Sequence, residues 1–521
     1  MGLANVQLAD FEQPVSPAVS SKFGLGLFAP LPGLLRSGGD SRLALTPGSR
    51  LDVYGCAAVP QTAVAECASS TASTISNRAY ERAEIARQEL LQSALSLGLP
   101  DAFEERIECL GRDLRTLLGL VAPKADIVFA PSGTDAALHA HFVASQIFGG
   151  AFTNVLVGEA ETGRGMPLSI AARHFGDRAA LGADVERGAA IEGFSPISGH
   201  IDVALRDEAG TPLSLAQIDA RVVQAVETVA KQGGRVLLHA MDCSKTGLSG
   251  PSLACLDFLS QRWPSQLLVL VDACQMRCGP DVLRSYLERN ALVLITGSKF
   301  FTGPPFSGAL LVPPVVSDCL AQAANVPSGL SQYTGRSSWP RAWRGVRAGL
   351  PQSMNFGEWL RWEAALEEMR AYFAVPSAFR AAGLQRFAQY VSSAITDVAG
   401  LEAIATAIPP GRNGEMGVPT ILPFLAFRQG LPLGMEDARR TYRKLASSLD
   451  EPRYLIGQPT SLNLRGGQFG ALRAAAGARL ISQSWVPGDP AASQRLLDAE
   501  LETICAALEC VAWHAAHDTG D

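Results

Sequence analysis

The sequence predicts an α/β fold that has a mainly parallel sheet and a smaller C-terminal α+β domain. Two runs of β-forming residues, Leu267–Gln275 and Leu292–Lys299, are short, apolar at their start and closed by turn residues. This pattern is typical of parallel strands that are buried on both faces. Between the two runs, Asp281–Asn290 can form the helix that a parallel crossover requires.

The remaining elements divide the chain into three parts. Residues 1 to about 50 are rich in Pro, Gly and Ser without sustained periodicity, which indicates a loosely packed arm, whereas Ala79–Leu97 has helical spacing. We therefore predict an N-terminal extension with a helix over residues 1–100, a large domain over 101–355 and a small domain over 356–521. Further strands are expected at Ile127–Ala130, Asn154–Val157, Arg235–His239, Gly308–Val312, Thr420–Phe427 and Gly470–Ile481.

Two charged residues stand at the ends of neighbouring predicted strands. Asp272 ends one strand, and Lys299 follows the next one along the chain. In an open α/β sheet, ligands bind at the carboxyl ends of the strands. We therefore expect both side chains to face one crevice.

A glycine turn near the start of the large domain is a candidate anion site. The strand Ile127–Ala130 breaks at Pro131–Asp135 and continues as a predicted helix from Ala136. Free N–H groups and the positive end of the helix dipole meet at such a helix start. Gly133 permits close approach of a ligand and Thr134 adds a hydroxyl. Turns of this kind are common, so the prediction depends on the neighbouring motifs.

The motifs together resemble the core of the fold type I pyridoxal-phosphate (PLP) enzymes. They are Asp272-x-x-Gln275, Thr296-x-Ser298-Lys299 and the glycines Gly303 and Gly308. The resemblance is to the class V aminotransferase and cysteine desulfurase branch, and it runs from Ile107 to Ile481 in order and spacing. It implies a seven-stranded sheet, PLP as the cofactor and a homodimer.

The resemblance also implies roles for single residues. Lys299 would form the Schiff base with the cofactor, Asp272 would pair with the pyridine nitrogen, and Gln275 would reach the phenolic oxygen. The phosphate would be held by Gly133, Thr134, Thr296 and Ser298. These roles agree with the division of work in PLP catalysis: the cofactor supplies the electron sink, and the protein orients the cofactor and moves the proton.

An arginine in the last predicted strand resembles the one that clamps the substrate carboxylate in this family. A planar guanidinium can donate two parallel hydrogen bonds to a carboxylate. Arg473 occupies this position, and Arg465 and Arg479 are nearby alternatives.

Three positions depart from the family pattern or leave alternatives open. The loop Gly158–Gly165 contains no aromatic residue or histidine to stack on the pyridine ring, and Thr162 is the nearest candidate. Either Asp242 or Ser244 could stand near the phenolic oxygen. Lys245 is a rival for the cofactor lysine, but it lacks the glycine-rich turn that follows Lys299.

Composition excludes several other classes. The chain has 521 residues and a net charge of −6, without Lys/Arg blocks, which argues against nucleic acid or an anionic membrane surface as the main partner. No apolar run reaches the roughly 18 residues of a spanning helix, and Met1–Val15 has no basic segment typical of a secretory signal. The ten cysteines lack metal or disulfide spacing. We therefore expect a cytoplasmic protein whose cysteines are free and which holds no metal.

Three functions fit these motifs and this composition. The first is an aminotransferase-like enzyme that acts on an α-amino acid or related amine. The second is a PLP-dependent C–S lyase that works by β-elimination. A persulfide-forming desulfurase is disfavoured because no cysteine lies between Cys319 and Cys505 to carry the persulfide, whereas a C–S lyase needs none. The third is a PLP-binding module without catalysis. Fold alone does not choose among them.

Overall fold

The computed structural model describes residues 25–61, 64–68, 72–121, 124–323, 325–408, 412, 414–447 and 453–518. Its strands form two sheets. In chain order they are β1 (Val64–Cys67), β2 (Asp126–Ala130), β3 (Thr153–Val157), β4 (Gly199–Val203), β5 (Val236–Met241), β6 (Leu267–Asp272), β7 (Leu292–Thr296), β8 (Gly308–Val312), β9 (Leu401–Ala403), β10 (Ile421–Arg428), β11 (Leu431–Pro432), β12 (Arg453–Leu464) and β13 (Gly467–Ala475).

Helices connect and cover these strands. They are α1 (Leu31–Leu35), α2 (Asn77–Leu97), α3 (Leu99–Leu117), α4 (Gly133–Phe148), α5 (Met166–Ile170), α6 (Leu215–Ala230), α7 (Leu253–Arg262), α8 (Pro280–Glu288), α9 (Pro314–Leu320), α10 (Arg344–Ala348), α11 (Phe356–Phe373), α12 (Ser377–Asp397), α13 (Met435–Ser447), α14 (Ala478–Ser484) and α15 (Pro490–His517). None of these helices is long and apolar enough to cross a membrane.

The large sheet has seven strands in the order β2-β8-β7-β6-β5-β3-β4. Strand β8 is antiparallel to both of its neighbours, and the other pairs are parallel. The predicted α/β class with a mainly parallel seven-stranded sheet is confirmed. Because β6 and β7 are parallel neighbours, their carboxyl ends lie side by side at one edge of the sheet.

Both faces of this sheet are buried, which explains why its strands read as continuous apolar runs. In β6 and β7, Val269, Val271, Val293 and Ile295 pack into one core, whereas the alternating residues pack into a second core on the opposite face. Successive side chains of a strand point to opposite faces. A strand covered on both sides must therefore be apolar at every position.

The smaller sheet joins a strand that precedes the large sheet to strands that follow it in the chain. It has the order β1-β12-β13-β10-β11, with β9 paired to β10, and β1 runs parallel to β12. Residues 64–67 thus belong to the same sheet as residues 453–475, which the sequence did not indicate. Four residues of β1 are too few for a pattern.

Two expectations about secondary structure are wrong. The described part of the expected loose arm is packed: Leu31, Leu34 and Leu35 of α1 are almost fully buried. The expected strand Gly470–Ile481 ends at Ala475, and Arg479 lies in α14. Strand β12 was not predicted, since Gly457 and Pro459 interrupt its apolar residues; its register with β13 shifts between Gly457 and Thr460.

Candidate active site

One cavity lies at the carboxyl ends of the strands of the large sheet. It encloses about 860 Å³, counting the solvent at its mouth. The sequence-predicted site residues all line it: Gly133, Thr134, Asp272, Gln275, Thr296, Ser298, Lys299 and Arg473. The structure thus brings together residues that are up to 340 positions apart in the chain. Their chemical roles stay predictions.

The start of helix α4 lines the cavity. Ser132 is the N-cap: its hydroxyl accepts a hydrogen bond from the Asp135 N–H at 3.2 Å, and its carbonyl accepts one from the Ala136 N–H. The N–H groups of Gly133 and Thr134 precede the first helical donor, so they lie at the positive end of the helix dipole. A Cβ added at Gly133 would stand only 2.6 Å from the Cys274 sulfur.

Strand β8 determines how closely this turn approaches the sheet. A Cβ at Gly308, the first residue of β8, would stand 2.4 Å from the carbonyl carbon of Ser132. Contacts this short with backbone atoms do not occur without a shift of one chain segment. Gly308 therefore lets the N-terminus of α4 sit directly on the sheet edge.

The residues after β6 place a carboxylate and an amide beside each other. The Asp272 carboxylate accepts the Cys274 N–H at 3.0 Å and the Thr162 hydroxyl at 3.3 Å. The side-chain oxygen of Gln275 is buried and has no hydrogen-bond partner among the described residues. Buried amide oxygens are rarely left unpaired, so this atom is available to a ligand.

Lys299 follows β7 and begins a strained loop. Thr302 and Phe306 in this loop, and Met276 on the neighbouring one, are non-glycine residues with φ between +51° and +70°. Such conformations cost free energy and cluster at functional sites. The Thr296 hydroxyl donates to the Cys274 carbonyl at 2.7 Å, which ties the ends of β7 and β6 together.

Two cationic residues, Lys245 and Arg473, also line the cavity. Arg473 donates to the Gln458 carbonyl at 2.7 Å and to the Lys245 carbonyl at 3.3 Å. The Lys245 amine donates to the Thr162 carbonyl. Burial lowers the pKa of Arg473 to about 10. Burial, together with the charges of Arg473 and Lys299, lowers the pKa of Lys245 to about 7.

Several candidates do not face the cavity. The Asp242 carboxylate binds Arg412 and accepts the Tyr286 hydroxyl at 2.8 Å, and the Ser244 hydroxyl donates to Glu161 at 2.6 Å. Neither residue lines the cavity, and their predicted place near the phenolic oxygen stays a prediction. The alternatives to Arg473 also lie elsewhere, since Arg465 pairs with Glu402 and Arg479 with Glu66.

One cavity residue from the N-terminal segment was not expected from the sequence. Arg42 lines the cavity, pairs with Asp40 and lies over the Phe306 ring, with its guanidinium carbon 4.7 Å from the ring centroid. It stands within a stretch that was expected to be loosely packed, and no sequence signal marks it.

Arg361 of α11 holds this N-terminal segment against the loop after Lys299. It is fully buried and donates to the carbonyls of Leu35, Ser37 and Gly38 and to the Phe306 carbonyl at 2.7 Å. This buried guanidinium therefore links the segment that carries Arg42 to the loop after Lys299.

Comparison with solved structures identifies the fold. Ureidoglycine–glyoxylate aminotransferase from Bacillus subtilis aligns over 89% of this chain and 95% of that chain, with a TM-score of 0.51 and 11% identity. The resemblance to fold type I enzymes is thus confirmed at the level of the fold. No protein family model matches the chain, and no curated protein sequence matches it significantly.

Two further solved structures align less well. A complex of the cystine C–S lyase C-DES with cysteine persulfide covers 84% of this chain and 94% of that chain, with a TM-score of 0.48 and 15% identity. Tryptophan decarboxylase from Catharanthus roseus covers 86% and 84%, with a TM-score of 0.47 and 14% identity. At these TM-scores the two similarities add nothing to the fold assignment.

Proposed function

We propose that this chain is a PLP-dependent enzyme that acts on α-amino acids in the manner of an aminotransferase. The observation that carries the proposal is the placement of Asp272 and Lys299. They come from the ends of the adjacent parallel strands β6 and β7, and they line one cavity together with the N-terminus of α4. This is the arrangement that the fold type I resemblance requires of its cofactor acid and cofactor lysine.

The cavity residues fit PLP at two separate points. At one end, the N–H groups of Gly133 and Thr134 and the hydroxyl of Ser298 suit a phosphate, which helix N-termini bind readily. A Cβ at Gly133 would stand 2.6 Å from the Cys274 sulfur, so a side chain there would force these N–H groups to move. At the other point, the unpaired Gln275 oxygen and the Asp272 carboxylate offer polar partners to a heteroaromatic ring. Amide oxygen and nitrogen can exchange places by a side-chain flip, so Gln275 can also donate.

Each residue then has a definite task. When bound, PLP supplies the electron sink that stabilises negative charge at the substrate α-carbon. Asp272, whose carboxylate accepts a hydrogen bond from the Thr162 hydroxyl, would keep the ring nitrogen protonated. Lys299 would hold the cofactor through its side-chain amine and, once the substrate amine has displaced it, would carry the α-proton as a general base. Arg473 binds the α-carboxylate and so orients the bond that must break.

The alternative functions are elimination at a C–S bond and binding without catalysis. Two cysteines, Cys243 and Cys274, line the cavity, but burial raises the pKa of Cys243 to about 12 and that of Cys274 well above its usual value. Protonated thiols are poor nucleophiles, which supports the view that persulfide transfer is not the reaction. Transfer and elimination differ in their products, so an assay can separate them.

The first test concerns the lysine. Holoenzyme is reduced with borohydride, which makes a cofactor–lysine bond permanent, and peptides are mapped by mass spectrometry. We expect the label on Lys299, its loss in Lys299→Ala, and its retention in the matched variant Lys245→Ala. Labelling of Lys245 in the wild-type protein would contradict the proposal.

The second test concerns the reaction. Holoenzyme is mixed with single α-amino acids while its absorbance is followed. Conversion of the cofactor to pyridoxamine phosphate, reversed by a keto acid, supports transamination. Ammonia and a keto acid released with return of the original spectrum would establish elimination instead. Cofactor binding without a response to any amine would favour the module without catalysis.

A further inference from the structure

The charges that face the cavity are unbalanced. Among the described residues, its charged lining consists of Arg42, Lys245, Lys299, Arg473, Glu161 and Asp272. Arg42 pairs with Asp40, and Glu161 pairs with Arg206 at 2.8 Å, so these two charges are compensated outside the cavity. Of the remaining four groups, Asp272 is the single acid.

Lys245 and Arg473 face the cavity without a carboxylate partner among the described residues. They donate instead to backbone carbonyls: Thr162 for the lysine, and Gln458 and Lys245 for the arginine. A carbonyl is a weaker partner for a buried cation than a carboxylate. Two neighbouring cations in this setting therefore favour a ligand that brings negative charge.

The proposed function uses only one of these two cations. The proposed function assigns Asp272 to the ring nitrogen, Lys299 to the cofactor aldehyde, and the N–H groups at the start of α4 to the phosphate. The α-carboxylate of an amino acid then neutralises Arg473. Lys245 then forms no ion pair with a carboxylate among the described residues. It is held beside Arg473, 228 positions away in sequence, because the Arg473 guanidinium donates to the Lys245 backbone carbonyl at 3.3 Å.

We propose that Lys245 and Arg473 together bind a substrate with two anionic groups, so that the enzyme prefers amino acids with an acidic side chain. The inference rests on the proposed function, because it assumes that an amino acid enters this cavity. The second anion can be a carboxylate or a phosphate, since both accept several hydrogen bonds from an ammonium group. Binding of that anion restores the protonated form of Lys245, whose pKa burial lowers.

The experiment compares matched pairs of substrates. Aspartate and asparagine, glutamate and glutamine, and phosphoserine and serine differ mainly in side-chain charge. We expect kcat/KM to favour at least one acidic member, and Lys245→Met to reduce this member's value by about 30-fold or more, the cost of truncating one partner of a buried charge pair. The neutral members should change by less than about threefold. Lys245→Arg should restore part of the preference, and the exposed Lys231→Met serves as the control.

Binding of succinate provides a readout that needs no turnover. Calorimetry with wild-type holoenzyme should show binding of succinate but not of its monoamide, and Lys245→Met should abolish the difference. A preference for the neutral member of every pair, or an equal loss for both members in Lys245→Met, would overturn the inference. The proposed function would survive that result if neutral amino acids still convert the cofactor.

The converse result is also distinguishable. Lys245-dependent binding of succinate without any response of the cofactor to amino acids would leave the two-anion site standing and refute the amino-acid reaction.

Discussion

The anion site proposed at the start of α4 can be tested by forcing its N–H groups to move. In Gly133→Ala the new Cβ would stand 2.6 Å from the Cys274 sulfur, whereas its next contacts, the Thr296 methyl carbon at 3.6 Å and the Cys274 Cβ at 3.7 Å, are ordinary. One atom therefore causes the conflict. Overpacking of this kind costs about 1–3 kcal/mol, and the gain in helix propensity returns up to about 1 kcal/mol. We expect a net loss of about 1–2 kcal/mol in the free energy of unfolding.

Cofactor affinity should decrease as well, because relief of the conflict moves the N–H groups that would bind the phosphate. A shift of about 1.4 kcal/mol corresponds to tenfold in Kd, and we expect a change of this size. Kd is measured by titrating apoprotein with PLP and following absorbance, and stability is measured by urea unfolding.

A double-mutant cycle isolates the cause. Cys274→Ala removes the sulfur, so Gly133→Ala in that background should cost close to nothing, and the coupling between the two substitutions should be about 1 kcal/mol or more. Gly279→Ala is a matched control, because it also lies at a helix start and its added Cβ meets nothing within 4 Å. An unchanged penalty in the Cys274→Ala background would refute the steric explanation.

Two further predictions concern buried cations. Arg361→Met removes four hydrogen bonds to backbone carbonyls. It should lower the free energy of unfolding by about 3 kcal/mol or more and speed proteolysis within residues 25–61. The control Arg370→Met alters a half-exposed surface pair and should have neither effect. The pKa of Lys245 in the folded chain is about 7, below its unfolded value of about 10.4. The unfolded chain therefore binds more protons than the folded chain between these two pH values. The free energy of unfolding of the apoprotein, relative to that of Lys245→Met, should rise across this window by about 1 kcal/mol per pH unit. If urea unfolding gave the same difference between the two proteins from pH 7 to 10, the prediction would be contradicted.

Local sequence patterns were sufficient to predict the large sheet and the residues that gather at its edge. Apolar runs such as Leu267–Val271 are typical of strands covered on both sides, and a chain that alternates such runs with helices builds a parallel sheet. The order of strands then places Asp272 and Lys299 at one edge, because parallel neighbours end together. All of these features depend on residues close in sequence, where periodicity and turn chemistry carry information.

Long-range contacts, in contrast, select the distant residues that complete the cavity. Arg42 lines the cavity, and Arg361 binds backbone carbonyls of the segment that carries it. Every residue has a backbone carbonyl, so residue types alone cannot predict such contacts. Of Arg465, Arg473 and Arg479, Arg473 is the one that lines the cavity. The register of β12 with β13 and the start of α14 determine this, and neither can be read from the sequence. Likewise, Asp242 does not line the cavity and pairs with Arg412, from a segment 170 residues further on. Tertiary packing and buried charge pairing fix these side chains, and neither is encoded in any local pattern.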